Sequence, residues 1–229
     1  MASNIKVISS MATKQLLSEL ATQFQKASKH QVSIESVGGV DAAKRVQAGE
    51  AFDVVILAAN VIDQLISSGR IVPGNRVDLV KSGVSVVVKA GAPRPDIATE
   101  DALKKAVSGA KSIGYSTGPS GVHLTQLFER WGIAGDIKGR IVQASPGVPV
   151  GSLVAKGEVE LGFQQLSELI HLRGVDILGP LPPSAQIITT FSAGVAVTAA
   201  QPEAARALID FLASPAAAEA KRSNGMDPA

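Results

Sequence analysis

Four short segments of this chain carry residue types that hold anions: Ser9–Thr13, Gly38–Asp41, Ser116–Gly121 and Ser145–Gly147. Each groups small, hydroxyl-bearing or glycine residues just before a run with helical periodicity. A helix start presents unpaired backbone N–H groups and the positive end of the helix dipole, so negative charge is stabilised there. Glycine lets a ligand approach the main chain, and serine adds a donor hydroxyl. One such loop need do no more than cap its own helix. Four in one chain, two on either side of the Pro/Gly stretch Gly91–Pro95, read as two halves of one anion-binding site.

Other chemistry finds little support. With no cysteine in the chain, thiolate catalysis, disulfides and Cys-based zinc sites are excluded. His30 and His171 have no partner at metal-ligand spacing and read as surface residues, so no metal site is expected. His123 follows Ser120 and Gly121 closely, and is the one alternative candidate for acid or base work. Asp41 is expected to cap the helix Ala42–Ala48. Gly118-Pro119-Ser120-Gly121 lacks the glycine spacing of a nucleophile elbow. No phosphate-binding Walker frame occurs, and no cofactor is implied.

The elements that must position these loops alternate. β-branched runs at Ile5–Ile8, Val32–Val37, Asp53–Leu57, Val84–Val88, Ser112–Tyr115 and Leu161–Gln164 are interleaved with helical patterns. Leu16, Leu17, Leu20, Ala21 and Phe24 form one apolar helical face. Thr99 is placed to cap the helix running to Val107. Pro202 suits the first turn of a helix over Ala204–Leu212, and a last helix covers Ala216–Arg222. Ile187–Phe191 and Gly194–Thr198 read as separate strand-like runs. Hydrophobic residues make up 45% of the chain and aromatics only 3%, so the core must come from Val, Ile, Leu and Ala. That composition suits an α/β fold with buried parallel strands. In such sheets ligands bind beyond the carboxyl ends of the strands, where all four loops lie.

The 22 basic and 20 acidic residues are scattered, without the dense basic stripe that a nucleic-acid partner needs. No apolar run is long enough to cross a membrane, so no membrane insertion is expected. No leader segment is visible. The chain is expected in the cytoplasm if Met1 is its native start, and in the periplasm if a signal peptide has been removed.

The order of these motifs resembles the molybdate-binding proteins of ABC transporters, which are type II periplasmic solute-binding proteins. The residues that carry the likeness are Ile5-Lys6-Val7-Ile8-Ser9-Ser10-Met11-Ala12, Gly38-Gly39-Val40-Asp41-Ala42-Ala43, Phe52-Asp53-Val54-Val55-Ile56, Gly118-Pro119-Ser120-Gly121 and Gly157-Glu158-Val159-Glu160-Leu161-Gly162-Phe163. The resemblance implies two α/β lobes joined by two crossing strands. Residues 1–84 and 192–229 would form lobe one, and residues 85–191 lobe two. A small anion would be held in a cleft between them and enclosed by hinge closure.

On that reading lobe one would bring Ser9, Ser10, Met11, Ala12, Gly38 and Gly39 to the ligand. Lobe two would bring Ser120 or Gly121, Gly147 with Val148, and Gln165 or its neighbour Gln164. Ala12 and Gly39 stand where the family usually has serine ligands, and Gln165 where a tyrosine hydroxyl often contributes. Fewer hydroxyls and more space point away from molybdate and toward a small organic acid. The expected role is a solute-binding protein, with an ABC permease as a candidate partner. The alternative is a cytoplasmic relative that senses such an acid or isomerises it.

Overall fold

The computed structural model describes residues 3–145 and 147–229. In chain order the first elements are β1 (Asn4–Ser10), α1 (Lys14–Ala27), β2 (Gln31–Val37), α2 (Gly39–Gln47), β3 (Val54–Ala58), α3 (Ala59–Ser67) and the long β4 (Val77–Lys89). Next come α4 (Glu100–Gly109), β5 (Ile113–Ser116), α5 (Pro119–Arg130), α6 (Ala134–Ile137), β6 (Ile141–Ala144), α7 (Val150–Lys156), β7 (Leu161–Gln165), α8 (Leu166–Leu169) and β8 (Val175–Pro180). The chain ends with β9 (Ile188–Val195), α9 (Pro202–Ala213), α10 (Ala218–Ser223) and β10 (Asp227–Pro228).

The chain divides into two compact units, Met1–Ser82 with Thr190–Ala229, and Gly83–Thr189. It passes from one to the other within β4 and returns within β9. The Gly91–Pro95 stretch therefore lies inside the second unit.

The first unit orders its strands β2-β1-β3-β9, the first three parallel and β9 antiparallel to β3. Every residue of β3 is buried, as its unbroken Val-Val-Ile-Leu-Ala sequence requires. Leu16, Leu17, Leu20 and Phe24 of α1 pack with Ile5, Val7, Val54 and Ile56 in one core, and Ala21 is buried as well. Asp53, nearly fully buried, accepts from the main-chain N–H of Lys6 at 2.8 Å and of Gln201 at 3.0 Å. Those bonds fix the entry of β3 beside β1. The second unit orders β4-β7-β5-β6, with β5, β6 and β7 parallel and β4 antiparallel to β7. Thr99 caps α4 as expected, its hydroxyl oxygen accepting from Ala102 N at 3.1 Å.

The structure departs from the sequence reading in instructive places. Ile187–Phe191 and Gly194–Thr198 are not separate strands, because β9 runs unbroken through Ser192 and Ala193. The Ser192 hydroxyl is fully buried and donates to Asp78 at 2.6 Å, so this polar residue is satisfied inside the sheet. β4 starts seven residues before Val84, because Asp78 is held by Arg76 and Ser192 while Leu79 and Val80 are buried. Asp41 is not a cap. α2 begins at Gly39 with Gly38 as its cap residue, which leaves Asp41 in the first turn. His30 is half-buried and stacks on Phe24 at 6.2 Å, not a surface residue.

Candidate functional site

In the first unit, β1 and β2 run side by side with Ser10 opposite Val37, so the loops after them lie at one edge of the sheet. Ser10 closes a short turn over Met11–Thr13, its hydroxyl accepting from Ala12 N at 3.3 Å. The Thr13 hydroxyl donates to Ser10 O at 3.0 Å. Ser10, Met11, Gly38 and Gly39 are half-buried, and a Cβ built on Gly39 would come within 3.9 Å of the Ser10 hydroxyl. The structure thus brings Ser10 and Gly39 together.

Two other residues of this loop face elsewhere. Ser9 has no exposed surface, and its hydroxyl bonds the Ser36 hydroxyl at 2.8 Å, tying β1 to β2. The Ala12 methyl packs into the core with Leu16 and Leu20. A side chain at position 12 points into that core, so Ala12 can offer only its main chain.

In the second unit, parallel β5, β6 and β7 bring three further loops to one edge. Ser120 and Gly121 occupy the first turn of α5 behind Pro119, and both are buried. Gly121 N donates to Gly118 O at 3.0 Å, closing that turn. His123 is exposed one turn further along. Gly147 and Val148 are exposed, Gly147 at φ 78°, a conformation that favours glycine. Val148 N donates to Ser145 O at 3.0 Å, so this N–H is already engaged in a turn. Pro146, within the Ser145–Gly147 loop, lies outside the described residues.

Gln164 and Gln165 end β7, and their roles differ. Each end of the Gln164 amide has a partner: its Oε1 accepts from Gly151 N at 2.8 Å and its Nε2 donates to Glu168 Oε2 at 2.5 Å. Gln165 Nε2 donates to the Thr189 hydroxyl at 3.0 Å, while its Oε1 is buried with no partner. The Ser167 hydroxyl is likewise buried and unpartnered. A hydroxyl both donates and accepts, so Thr189 holds the Gln165 amide equally well turned end for end. Gln165 can therefore present either a donor or an acceptor.

Glu168 was not legible as a site residue. It lies in α8, one turn beyond Gln164, and Gln164 is the residue that hydrogen-bonds it. Burial pushes its carboxyl up to about 7, and the Gln164 hydrogen bond opposes the shift only in part. The spacing of Gln164 and Glu168 by four residues was the signal available in the sequence. Only the burial of that turn gives it meaning. Because the folded carboxyl keeps its proton to a higher pH than the ordinary glutamate value of 4.5, folding takes up a proton between 4.5 and about 7. Stability is therefore fully expressed below that window and falls as pH rises through it. Glu168→Gln is expected to gain on the order of 2 kcal/mol over the parent at pH 8 and almost nothing near pH 4.5. Urea unfolding at the two pH values measures this, and an equal difference at both would refute it.

Among the described residues no group of three His, Cys, Asp or Glu side chains could hold a metal ion. No helix among them is long and apolar enough to cross a membrane.

Two α/β units that the chain enters and leaves through β4 and β9, with anion-type loops at their parallel strand ends, define a type II solute-binding protein of the ModA kind. Residues 5–227 match the bacterial extracellular solute-binding proteins, and the chain belongs to that family. It is 38% identical to an aconitate isomerase of Pseudomonas sp. over 98% of this chain and 87% of the relative. It is 26% identical to the molybdate-binding protein ModA of Azotobacter vinelandii over 91% of this chain and 84% of ModA. Among solved structures, the periplasmic molybdate-binding protein of Azotobacter vinelandii superposes with a TM-score of 0.81 at 24% identity, over 97% of this chain and 98% of that one. A sulfate-binding protein of Mycobacterium tuberculosis gives 0.80 at 16% identity, over 99% of this chain and 87% of that one.

Proposed function

We propose that this chain binds an unsaturated tricarboxylic acid of the aconitate type and interconverts its double-bond isomers. The observation that carries the reading is the 38% identity to an aconitate isomerase across 98% of the chain, against 26% to ModA. The loops support it. Gly39 lacks the hydroxyl that a small oxyanion needs, and Ala12 turns its side chain into the core. A buried anion oxygen left without a donor costs several kcal/mol, roughly, so a tetrahedral oxyanion would be poorly served. A larger acid fills the space and spreads its charge over several carboxylates. Each unit offers groups suited to carboxylates: Ser10 and Gly39 in the first, and Ser120, Gly121 and Gln165 in the second.

Interconverting double-bond isomers requires the π bond to be lost for a moment. Reversible addition of a thiolate would achieve this, but the chain has no cysteine. A proton shift along the allylic carbons needs only a carboxylate or an imidazole.

A second reading, capture of the same acid for delivery to a membrane permease without chemistry, is favoured by the family match over residues 5–227. One experiment separates the two. The purified protein is mixed with cis-aconitate and followed by proton NMR, with calorimetry run in parallel. Appearance of the trans isomer at a rate proportional to protein concentration is expected. Tight binding without turnover would select the second reading, and no binding of either isomer would overturn both.

A further inference from the structure

We propose that the second unit carries a further binding site, away from the strand-end loops, and that it takes an aliphatic carboxylate of medium chain length. The site is a cavity of about 530 Å³ between α4, the strap of residues 92–96 and the start of β7. It lies wholly within Gly83–Thr189 and is independent of the isomerase reading.

Its place in the fold separates it from the anion-type loops. Leu161 lines the cavity and opens β7, where it pairs with Ile113, the first residue of β5. Val87, near the end of antiparallel β4, pairs with Gly162. The cavity therefore sits at the amino ends of the parallel strands, and the loops after β5, β6 and β7 sit at the opposite ends.

The sequence explains why space is left here. α4 turns Leu103 and Val107 into the core with Val88, Ile113 and Leu161. On the face toward the cavity Ala102, Ala106 and Gly109 recur at helical spacing and offer only methyl groups or nothing. A Cβ built on Gly109 would meet nothing within 4 Å. In the strap, Pro93 and Pro95 have no N–H to donate, and Pro95 biases Arg94 toward extended backbone. The remaining lining residues Val88, Ala110 and Leu161 are buried and apolar. An apolar hollow of this kind falls within the range of small-molecule sites, about 300–1,000 Å³.

Charge selects the class of occupant. Arg94, Asp96, Lys105 and Glu160 also line the cavity. Both acids accept from the main chain, Asp96 from Ala98 N at 2.9 Å and Glu160 from Lys111 N. Arg94 reaches Asp176 at 3.8 Å and donates to Ile177 O at 3.4 Å. Lys105 is exposed, and among the described residues it has neither an ion pair nor a hydrogen bond. The charge left to a ligand is thus an ammonium. An apolar body with an anionic head matches both features: the chain leaves water, while the head meets Lys105 where water still reaches. A tricarboxylate, with little apolar surface, gains almost nothing from such a lining.

The test uses the full-length protein and decanoate below its micelle-forming concentration, read by calorimetry. One decanoate per chain is expected to bind, undiminished by saturating aconitate. Ala106→Leu fills the cavity and should weaken decanoate at least about tenfold. Gly109→Leu, where the Cβ has open space, fills it by a second route and should do the same. Lys105→Gln should weaken decanoate about three- to fivefold and leave the weaker binding of decanol unchanged. Aconitate titrated in parallel reads the strand-end site separately, so either reading can fail while the other stands. A parent that binds no decanoate would overturn the proposal. So would decanoate binding that aconitate displaces, or that both leucine variants leave intact in folded protein. Decanol bound as tightly as decanoate would leave Lys105 without a part and overturn the carboxylate assignment.

Discussion

Gly121→Ala is expected to destabilise the protein by about 4 kcal/mol or more, a large share of the whole stability of a typical fold. A Cβ at this position would lie 1.8 Å from the carbonyl oxygen of Ser116 and 3.0 Å from its carbonyl carbon. No side-chain movement relieves that overlap, because both atoms belong to the main chain. The Tyr115 ring, 3.2 Å away on the same side, is itself buried and closes the route by which α5 could rise. Either α5 lifts off the end of β5, or the turn through Thr117 and Gly118 opens and its hydrogen bonds to Gly118 O are lost.

The demand for glycine here thus comes from helix-on-strand packing, before any ligand is considered. Gly135→Ala is the control. It lies in α6 with open space around its Cβ position and an ordinary helical backbone, so alanine there should be neutral or stabilise by up to about 1 kcal/mol. Thermal unfolding of the two variants side by side decides the matter. A Gly121→Ala protein melting within a few degrees of the parent would show that α5 can shift at little cost.

The same contrast marks what could be read from the sequence. The alternation of strand and helix was legible because β-branched runs and helical periodicity are local properties. So was the Thr99 cap, a hydroxyl beside two acidic residues at a helix start. The strand-to-helix junctions were legible as junctions, and the rule for parallel sheets put them at the strand ends, but Gly39–Asp41 and Pro119–Gly121 are first turns of α2 and α5 rather than loop. What could not be read is what each side chain faces. Ser9 and Ser10 are adjacent and identical, yet one is sealed between β1 and β2 and the other closes a turn near Gly39. Strand alternation separates them, and no composition signal does. Gln164 and Gln165 differ in the same way. Glu168 was missed because an isolated acid in Gln-Gln-Leu-Ser-Glu-Leu looks like a solvated helix face until the burial of that turn is known. β9 was broken in two because a serine inside a strand reads as a turn, and the partner that satisfies its buried hydroxyl, Asp78, is 114 residues away.

Position 39 is where ligand class should be most easily changed, and Gly39→Ser is expected to strengthen molybdate and tungstate binding by roughly ten- to a hundredfold. The site has room: a Cβ there meets only the Ser10 hydroxyl, at 3.9 Å, and the residue begins α2 with an ordinary negative φ. Serine is at home at a helix start, so stability should change by less than about 0.5 kcal/mol. The new hydroxyl would stand beside Ser10 and the first N–H groups of α2, adding one donor to a charged ligand. Such a bond contributes about 1.5–3 kcal/mol, which sets the expected factor. Aconitate should bind the same variant less well, since the hydroxymethyl group takes up space that a carbon skeleton would use. Ala12→Ser offers no parallel gain. Its hydroxyl would be buried among Leu16 and Leu20 without a partner, at a cost of about 1–3 kcal/mol in stability. Adding it to Gly39→Ser should weaken the fold and leave oxyanion affinity where the single change put it. Calorimetry with molybdate, tungstate and aconitate on the parent, both single variants and the double variant reads all of this. Tight molybdate binding by the parent would show that the lack of a hydroxyl at Gly39 is not what limits oxyanion affinity. An affinity in Gly39→Ser equal to the parent's would show that α2 does not present its first residue to the ligand.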